Sequence, residues 1–483
     1  MKKSAFKYIS KVFVSLICIL YIFLPINNIV YAQDNSGEVL GDATTFTDSQ
    51  KTLLLAKPAV VQVSNIITGQ IVIQATLANS LGAPGIAGMY YEFTLGFGGS
   101  GFFITDNGYL ITNGHVAQPD NDIIAYYAIA QLAESIYRDA IIIMWENTYG
   151  YTPTESEVDA AFDIILNQTY GGSFEAMVND LYSTDYRGGN LKMESVKNNN
   201  FIQTGAVSGT EKVVKELGKA ANVIDTLYDG DFDSSDIALL KVEGANFPTV
   251  ELGSSQNVQI GSELYVIGYP GVVDQATGYF TDVESSLEPT ITKGIISAKK
   301  TLVDGTEAFQ TDAAISGGNS GGPALDSNGK VIGMATWTIS EYEGVESYNF
   351  LISIESIQKL LSKNNITPNE GLTSKKWEEA LNEYSNKCYT NAKKKFEETK
   401  NLYPDNVDVE DFLTKCQTAI DKGEDKCLSK IEPWMYMLGA VCCGLGFLVF
   451  IIIVFVFIIK GKKKKDSNVS SEVKKEAKEE SKK

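Results

Sequence analysis

Histidine is almost missing from this sequence, which has His115 as its single copy among 483 residues. Any chemistry that needs an imidazole near neutral pH must therefore use that side chain. Cysteine is also scarce, since none of the six lies between residues 33 and 387. This long region cannot rely on disulfides, so a hydrophobic core must stabilise it, as a domain of this size allows.

The chain also lacks an excess of positive charge, with a formal net charge of -19. Its lysines crowd at the ends: residues 1–32 hold four lysines and no acid, and residues 460–483 hold ten lysines against five acids. The remainder, residues 33–459, therefore carries -28. Such a surface repels phosphate backbones, which argues against nucleic acid as a partner and favours basic or neutral unfolded polypeptide.

The N-terminus has the order of an export signal. Lys2 and Lys3 precede an apolar run from Val12 to Pro25, and Ala32 supplies a small residue at the cleavage position. We predict a signal peptide over residues 1–32, with an uncleaved membrane helix as the alternative. In either case the residues after position 32 are exported.

A second apolar run, Trp434 to Ile459, contains no charged residue. At about 1.5 Å of rise per residue, a helix of this length can cross a hydrocarbon core of roughly 30 Å. Lys460 and four further lysines come directly after it, and the positive-inside rule keeps them in the cytoplasm. We predict a single-pass membrane anchor at 434–459, a disordered basic tail at 460–483, and an extracytoplasmic location for the residues before the anchor.

Between the two ends, short β-branched runs broken by Gly, Asn and Asp extend from Pro58 to about Leu361. That sequence pattern is typical of an antiparallel sheet or barrel, and we predict one mainly β domain over residues 50–366.

The pattern changes between about 120 and 190, where two long stretches without glycine predict an insertion of two or three helices.

Two sequence signals place the starts of these helices. Thr154 and Glu157 form a capping-box pattern, and Ser173 can cap the segment after it. The insertion is expected to be either an extra packing layer or oligomer contact, or a lid over an active site.

Residues 373–423 are rich in helix-favouring residues and predict a separate small helical unit. Part of it resembles a single tetratricopeptide repeat, and four residues fall at that repeat's spacing: Ala392, Phe396, Leu402 and Pro404. One repeat is normally too few, so a plain helical stalk is as good an interpretation as a peptide-binding repeat. Cys388 and Cys416 could form a bridge within this unit.

Three motifs stand in the order His, Asp, Ser: ITNGHV with His115, DSSDIALLKV with Asp236, and TDAAISGGNSGGPAL with Ser320. A serine hydroxyl is a weak nucleophile and needs a base that takes its proton during attack. Imidazole can do this, and a carboxylate can hold it in one tautomer. Asp236 fits best because it directly precedes an apolar strand, whereas its competitors Asp231 and Asp233 sit in a polar loop.

The glycines around Ser320 allow the backbone to turn so that amide groups converge on a substrate carbonyl oxygen. By analogy with the triad fold, the N–H groups of Gly318 and Ser320 would form an oxyanion hole. These motifs predict acyl transfer to Ser320, and hence a serine endopeptidase.

The three motifs resemble the HtrA branch of the trypsin-like serine proteases, as do KPAVVQVS, LGSSQNVQIGSELYVIGYPG, TITKGIISA and KVIGMATW. The resemblance spans about residues 55 to 361, apart from the insertion. It implies two six-stranded β-barrels, no metal or organic cofactor, and cleavage of unfolded or damaged exported polypeptides, often by trimers. It also puts Ala314 at the base of the specificity pocket, which implies an aliphatic residue before the cleaved bond.

The sequence departs from the family in two places. Ser316 and Gly317 stand where the family more usually has Asn-Pro or Asn-Arg before the next glycine. The PDZ domain that commonly comes after the protease is expected to be absent, with the helical unit and the anchor in its place. The alternative to an active protease is a catalytically silent adaptor that binds peptides or partner proteins through its helical segments.

Overall fold

The computed structural model describes residues 46–203, 218–228, 230, 235–269, 288–339 and 348–427. The predicted signal peptide at 1–32, the anchor at 434–459 and the tail at 460–483 lie outside these residues. Within the described ranges, no helix combines the length and the apolar character needed to cross a membrane.

Thirteen strands are described. They are β1 (Val60–Ile73), β2 (Tyr90–Phe103), β3 (Tyr109–Thr112), β4 (Leu191–Gln203), β5 (Lys219–Leu227), β6 (Ile237–Val242), β7 (Glu251–Leu252), β8 (Glu263–Gly268), β9 (Thr290–Thr301), β10 (Glu307–Thr311), β11 (Pro323–Leu325), β12 (Lys330–Ile339) and β13 (Tyr348–Ser353).

The α-helices of the described ranges fall before, between and after these strands. They are α1 (Asp48–Ala56), α2 (Ala75–Ser80), α3 (Gly114–Ala117), α4 (Asn121–Tyr149), α5 (Glu155–Tyr170), α6 (Phe174–Asp180), α7 (Ile354–Lys363), α8 (Leu372–Ser385), α9 (Tyr389–Leu402) and α10 (Asp408–Asp421). A π-helical turn, Leu181–Tyr186, extends α6.

The strands form two antiparallel barrels, as predicted. The first closes in the order β1-β2-β3-β6-β5-β4, and the second closes through β11-β8-β9-β10-β13-β12 because β11 also pairs with β12. One feature was not predicted: the two-residue strand β7 adds to β12 in parallel. A shared apolar cluster, with Phe102 and Leu239 from the first barrel and Ile267 and Met334 from the second, joins the two.

The helical insertion packs against the first barrel. β1 and β2 are each 14 residues long, and the outer parts of these strands present Ile71 and Phe93 to the buried face of α4, where Ile129 and Ile136 lie. The predicted caps are confirmed, with a capping box at the start of α5 and a side-chain cap from Ser173 on α6. The insertion thus forms an extra layer over the sheet, which is one of the two roles expected for it.

The predicted helical unit consists of α8, α9 and α10. Phe396 and Phe412 stack at its centre with ring centroids 5.0 Å apart. The helix α1 completes this core: Phe46 stacks on Tyr384 at 5.5 Å, and Trp377 Nε1 donates a 2.7 Å hydrogen bond to Leu54 O. A single repeat is normally too small to bury its own apolar face, and α1 supplies the missing surface.

The unit is docked on the barrels. Thr373 Oγ1 donates a 2.6 Å hydrogen bond to Asn246 O, and Thr249 N donates a 2.8 Å bond to Ser374 Oγ. This packing differs from the plain helical stalk, one of the two interpretations of the unit, which would lift the barrels off the bilayer. Cys388, Cys416 and Cys427 are all free thiols in this structure, so it contains no bridge between any two of them.

A buried ion pair fastens the unit to the barrels. Lys57 Nζ, just before β1, lies 2.7 Å from Asp408 Oδ1 at the start of α10 and 2.9 Å from Glu288 Oε2. Burial lowers the pKa of Lys57, but the carboxylates of Asp408 and Glu288 outweigh it and raise the pKa overall. The lysine therefore stays charged at neutral pH and loses its charge only in alkaline solution.

Replacing Lys57 by alanine leaves the partly buried Asp408 beside the barrel without its counter-charge. We expect Lys57→Ala to lower the free energy of unfolding by about 2–3 kcal/mol. The control is Lys330→Ala, since Lys330 pairs with Glu251 at the exposed surface and should cost below about 1 kcal/mol. Urea unfolding measures both, and equal losses would contradict the role assigned to Lys57.

Candidate active site

His115 and Asp236 are brought together by the pairing of two neighbouring strands. β3 ends at Thr112, which pairs with Ala238 of β6, and the one-turn helix α3 carries His115 directly after β3. Asp236 directly precedes β6. The imidazole Nδ1 therefore lies 2.6 Å from Asp236 Oδ2, and the backbone N–H of His115 donates a 2.9 Å bond to Oδ1.

The carboxylate of Asp236 is completely buried and is held by three donors. Two come from His115, and the third is Thr336 Oγ1 of β12, 2.9 Å from Oδ2. Asn113 Nδ2 also donates to the backbone oxygen of Asp236 at 2.7 Å. A buried carboxylate needs this degree of hydrogen bonding, and the bonds fix its orientation toward the imidazole.

Ser320 lies in the loop between β10 and β11, on the second barrel. Its Oγ donates a 2.9 Å hydrogen bond to Thr336 O. Thr336 therefore contacts the serine through its carbonyl and the aspartate through its hydroxyl. Sequence reasoning quoted the segment around Thr336 but did not single out this residue, because its role depends on a contact between distant parts of the chain.

Ser100 of β2 connects the serine loop to the first barrel. Its backbone N–H donates a 2.7 Å bond to Ser320 O, and its Oγ donates a 2.7 Å bond to Gly318 O. The same Oγ accepts a 2.9 Å bond from Tyr269 N of the second barrel. Ser100 is fully buried and positions the loop from both sides.

The amide groups of the serine loop differ in their partners. The N–H groups of Asn319, Gly321 and Gly322 donate to the carbonyl oxygens of Ser316, Ala335 and Asn319. The N–H groups of Gly318 and Ser320 donate to no acceptor in the described part of the chain. These are the two amides predicted for the oxyanion hole, although Gly317 N–H in the same loop likewise donates to no acceptor among the described residues.

Three asparagines hold the carbonyl end of the helix that carries His115. The Nδ2 atoms of Asn65, Asn198 and Asn200 each donate to Ala117 O, at 2.9, 3.0 and 3.0 Å. The last carbonyls of a helix lack partners within it, so these bonds cap α3. Sequence reasoning missed this clamp because asparagines on a strand carry no local sign of what they contact.

The predicted specificity residue, Ala314, lies a few residues before Ser320. It is exposed, and its carbonyl oxygen accepts a 2.9 Å bond from Thr292 Oγ1. The alternative triad carboxylates Asp231 and Asp233 lie outside the described residues.

Comparison with known protein families matches a segment that contains two of the three predicted triad residues. Residues 196–334 match the trypsin-like peptidase domain. That range includes Asp236 and Ser320 and begins after the helical insertion, so His115 falls outside it.

Curated proteins named probable periplasmic serine endoprotease DegP-like are among the relatives of this chain. One from Pseudomonas putida (strain W619) is 32% identical over 174 residues, which cover 35% of this chain and 33% of the relative. The one from Chlamydia trachomatis serovar D is 32% identical over 193 residues, covering 36% and 35%. The chain thus spans about a third of the length of the curated relatives that it matches.

Among solved structures, the HtrA-type protease AlgW with decapeptide is similar at 18% identity and a TM-score of 0.34. The match covers 65% of this chain and 66% of that one.

Gly321 is required by the close approach of the loop to Ser100. Its φ is +89°, and a Cβ there would lie 2.0 Å from Ser100 O. We expect Gly321→Ala to lower Tm by several degrees, because both the strained backbone and the clash displace the loop. Gly317→Ala is the control, since a Cβ at that position meets no atom within 4 Å. Thermal unfolding measures both, and an unchanged Tm in Gly321→Ala would contradict this packing.

Proposed function

We propose that this protein is a serine endopeptidase that uses His115, Asp236 and Ser320 as its catalytic triad. The observation that carries the proposal is the contact between His115, the only histidine, and the carboxylate of Asp236. This carboxylate is fully buried and accepts three hydrogen bonds. Thr336 links that carboxylate to Ser320, which supports a shared role for the three residues. The match to the trypsin-like peptidase domain supports the same reaction.

The reaction begins with attack of Ser320 Oγ on the substrate carbonyl carbon. In the resting structure this hydroxyl donates to Thr336 O, so its hydrogen must turn toward His115 Nε2 before attack. His115 takes the proton, and Asp236 stabilises the imidazolium through Nδ1. The amides of Gly318 and Ser320 bind the oxyanion that forms.

The second half of the reaction reuses the same groups. His115 gives its proton to the leaving amine, and water then hydrolyses the acyl-enzyme with His115 again as the base. The clamp of Asn65, Asn198 and Asn200 keeps the helix of His115 fixed through both proton transfers. The family resemblance puts Ala314 at the base of the specificity pocket, and because this residue is not acidic, an aliphatic side chain is expected before the cleaved bond.

The substrate class is inferred from location and charge. The relatives are named as periplasmic proteins, and the N-terminus has the pattern of an export signal. The proposed substrates are unfolded or damaged exported polypeptides. The apolar run 434–459 would anchor the enzyme in the membrane with its active site outside the cytoplasm, and trimers are the assembly that the family resemblance implies.

The test is labelling and cleavage by the full chain. We expect a fluorophosphonate probe to label the wild type and the chain to cleave unfolded casein. Ser320→Ala should lose both, while Ser316→Ala, a change in the same loop, should keep both. Asp236→Asn should lower the cleavage rate by about 10⁴-fold, because the imidazole loses its correct tautomer. Failure of the wild type to label or cleave would favour the silent adaptor.

A further inference from the structure

The C-terminal end of the helical unit brings two cysteines together. The sulfur atoms of Cys388 and Cys427 and a carboxylate oxygen of Glu383 all lie within 4.8 Å of one another. Cys388 directly precedes α9, and Cys427 comes after the end of α10. Both are partly buried free thiols.

Backbone contacts hold the segment of Cys427 against the turn between α8 and α9. Lys426 N donates a 2.9 Å bond to Lys387 O, so the residues immediately before the two cysteines are bonded to each other. This places the two cysteines side by side on adjacent backbone segments.

Asp425 strengthens the same docking. Its Oδ1 accepts bonds from Tyr389 N at 2.9 Å and from Cys427 N at 3.1 Å, and its Oδ2 accepts one from Thr390 N at 3.3 Å. These bonds cap the start of α9, where helical N–H groups lack partners. Burial raises the pKa of Asp425, but a bond from the Thr390 hydroxyl and these backbone bonds outweigh it and hold the pKa below its ordinary value. The docking is therefore maintained at neutral pH.

We propose that Cys388 and Cys427 form a disulfide in the exported protein. A disulfide requires Cβ atoms about 3.5–4.5 Å apart and sulfurs that can approach to about 2.05 Å. The two sulfurs already lie within 4.8 Å of each other on docked segments, so rotation of their side chains can bring them closer. Cys416 is instead fully buried in the core of the unit.

The oxidant is the disulfide of an extracytoplasmic thiol-disulfide oxidoreductase. The thiolate of Cys427 attacks one sulfur of that disulfide and forms a mixed disulfide, releasing one thiol of the oxidant. Cys388 loses its proton, attacks the Cys427 sulfur and displaces the second thiol. The net step oxidises two cysteine thiols to one disulfide, and the oxidant is reduced to two thiols.

A metal site is the competing use of the same side chains. Glu383, Cys388 and Cys427 supply three ligand atoms, whereas structural zinc sites have four protein ligands. Burial, together with the nearness of Cys427 and Glu383, raises the pKa of the Cys388 thiol to about 12. A thiol that keeps its proton is both a poor metal ligand and a poor nucleophile, so this pKa does not separate the two uses. The ligand count, one short of a structural zinc site, favours the disulfide.

The bridge would fix the point at which the chain leaves the helical unit. Cys427 lies shortly before the apolar run that begins at Trp434. A disulfide between residues 388 and 427 closes a loop that contains α9 and α10, and it fastens the end of that loop to the α8–α9 turn.

Tryptic peptides separate the three relevant cysteines. Cys388 falls in CYTNAK, Cys416 in CQTAIDK and Cys427 in CLSK. The full chain is exported in a host with an oxidising extracytoplasmic compartment, alkylated before lysis, digested without reductant and analysed by mass spectrometry. We expect CYTNAK and CLSK as one linked species that separates on reduction, and CQTAIDK as an alkylated peptide.

The variants make the assignment specific. Cys416→Ala should keep the linked species, whereas Cys388→Ser should lose it and leave CLSK alkylated. The proposal is overturned if Cys388 and Cys427 remain fully alkylated after the wild type is incubated with oxidised glutathione. Linkage of CYTNAK to CQTAIDK, or one equivalent of zinc per chain with both thiols reduced, would also overturn it. Loss of protease activity affects none of these readouts, so the proposed function and the bridge are tested separately.

Discussion

The buried carboxylate of Asp236 is the group on which the rest of the site depends. Its two oxygens bind three donors, two from the helix after β3 and one from β12 of the other barrel. A buried carboxylate without such donors would be strongly unfavourable, so the two barrels must meet for the site to form. The chemistry and the packing of the barrels therefore share one constraint.

The helical insertion begins and ends next to α3, the short helix that carries His115. α4 begins shortly after His115, and β4, directly after the insertion, supplies Asn198 and Asn200 to the helix that carries His115. The insertion is also bound to β1 and β2 by an apolar layer. A segment that separates His115 from Asp236 in sequence thus ends in contacts that hold His115 in position.

Local signals explain what the sequence could predict. The capping box at Thr154, the alternation in the strands and the glycines around Ser320 each act over a few residues, so they are readable without a structure. Ser100, Thr336 and the asparagine clamp act through contacts between distant segments, which leave no local pattern. The docking of α1 into the helical unit, and the nearness of Cys427 rather than Cys416 to Cys388, could not be predicted for the same reason.

The central claim is that Asp236 fixes the imidazole of His115 with its proton on Nδ1. The single histidine makes this directly measurable, because ¹⁵N NMR of histidine-labelled protein contains signals from one ring. For the neutral ring, the account predicts a protonated Nδ1 and an unprotonated Nε2. It also predicts that Asp236→Asn loses this preference. A wild-type ring protonated on Nε2, or a tautomer unchanged by Asp236→Asn, would contradict it.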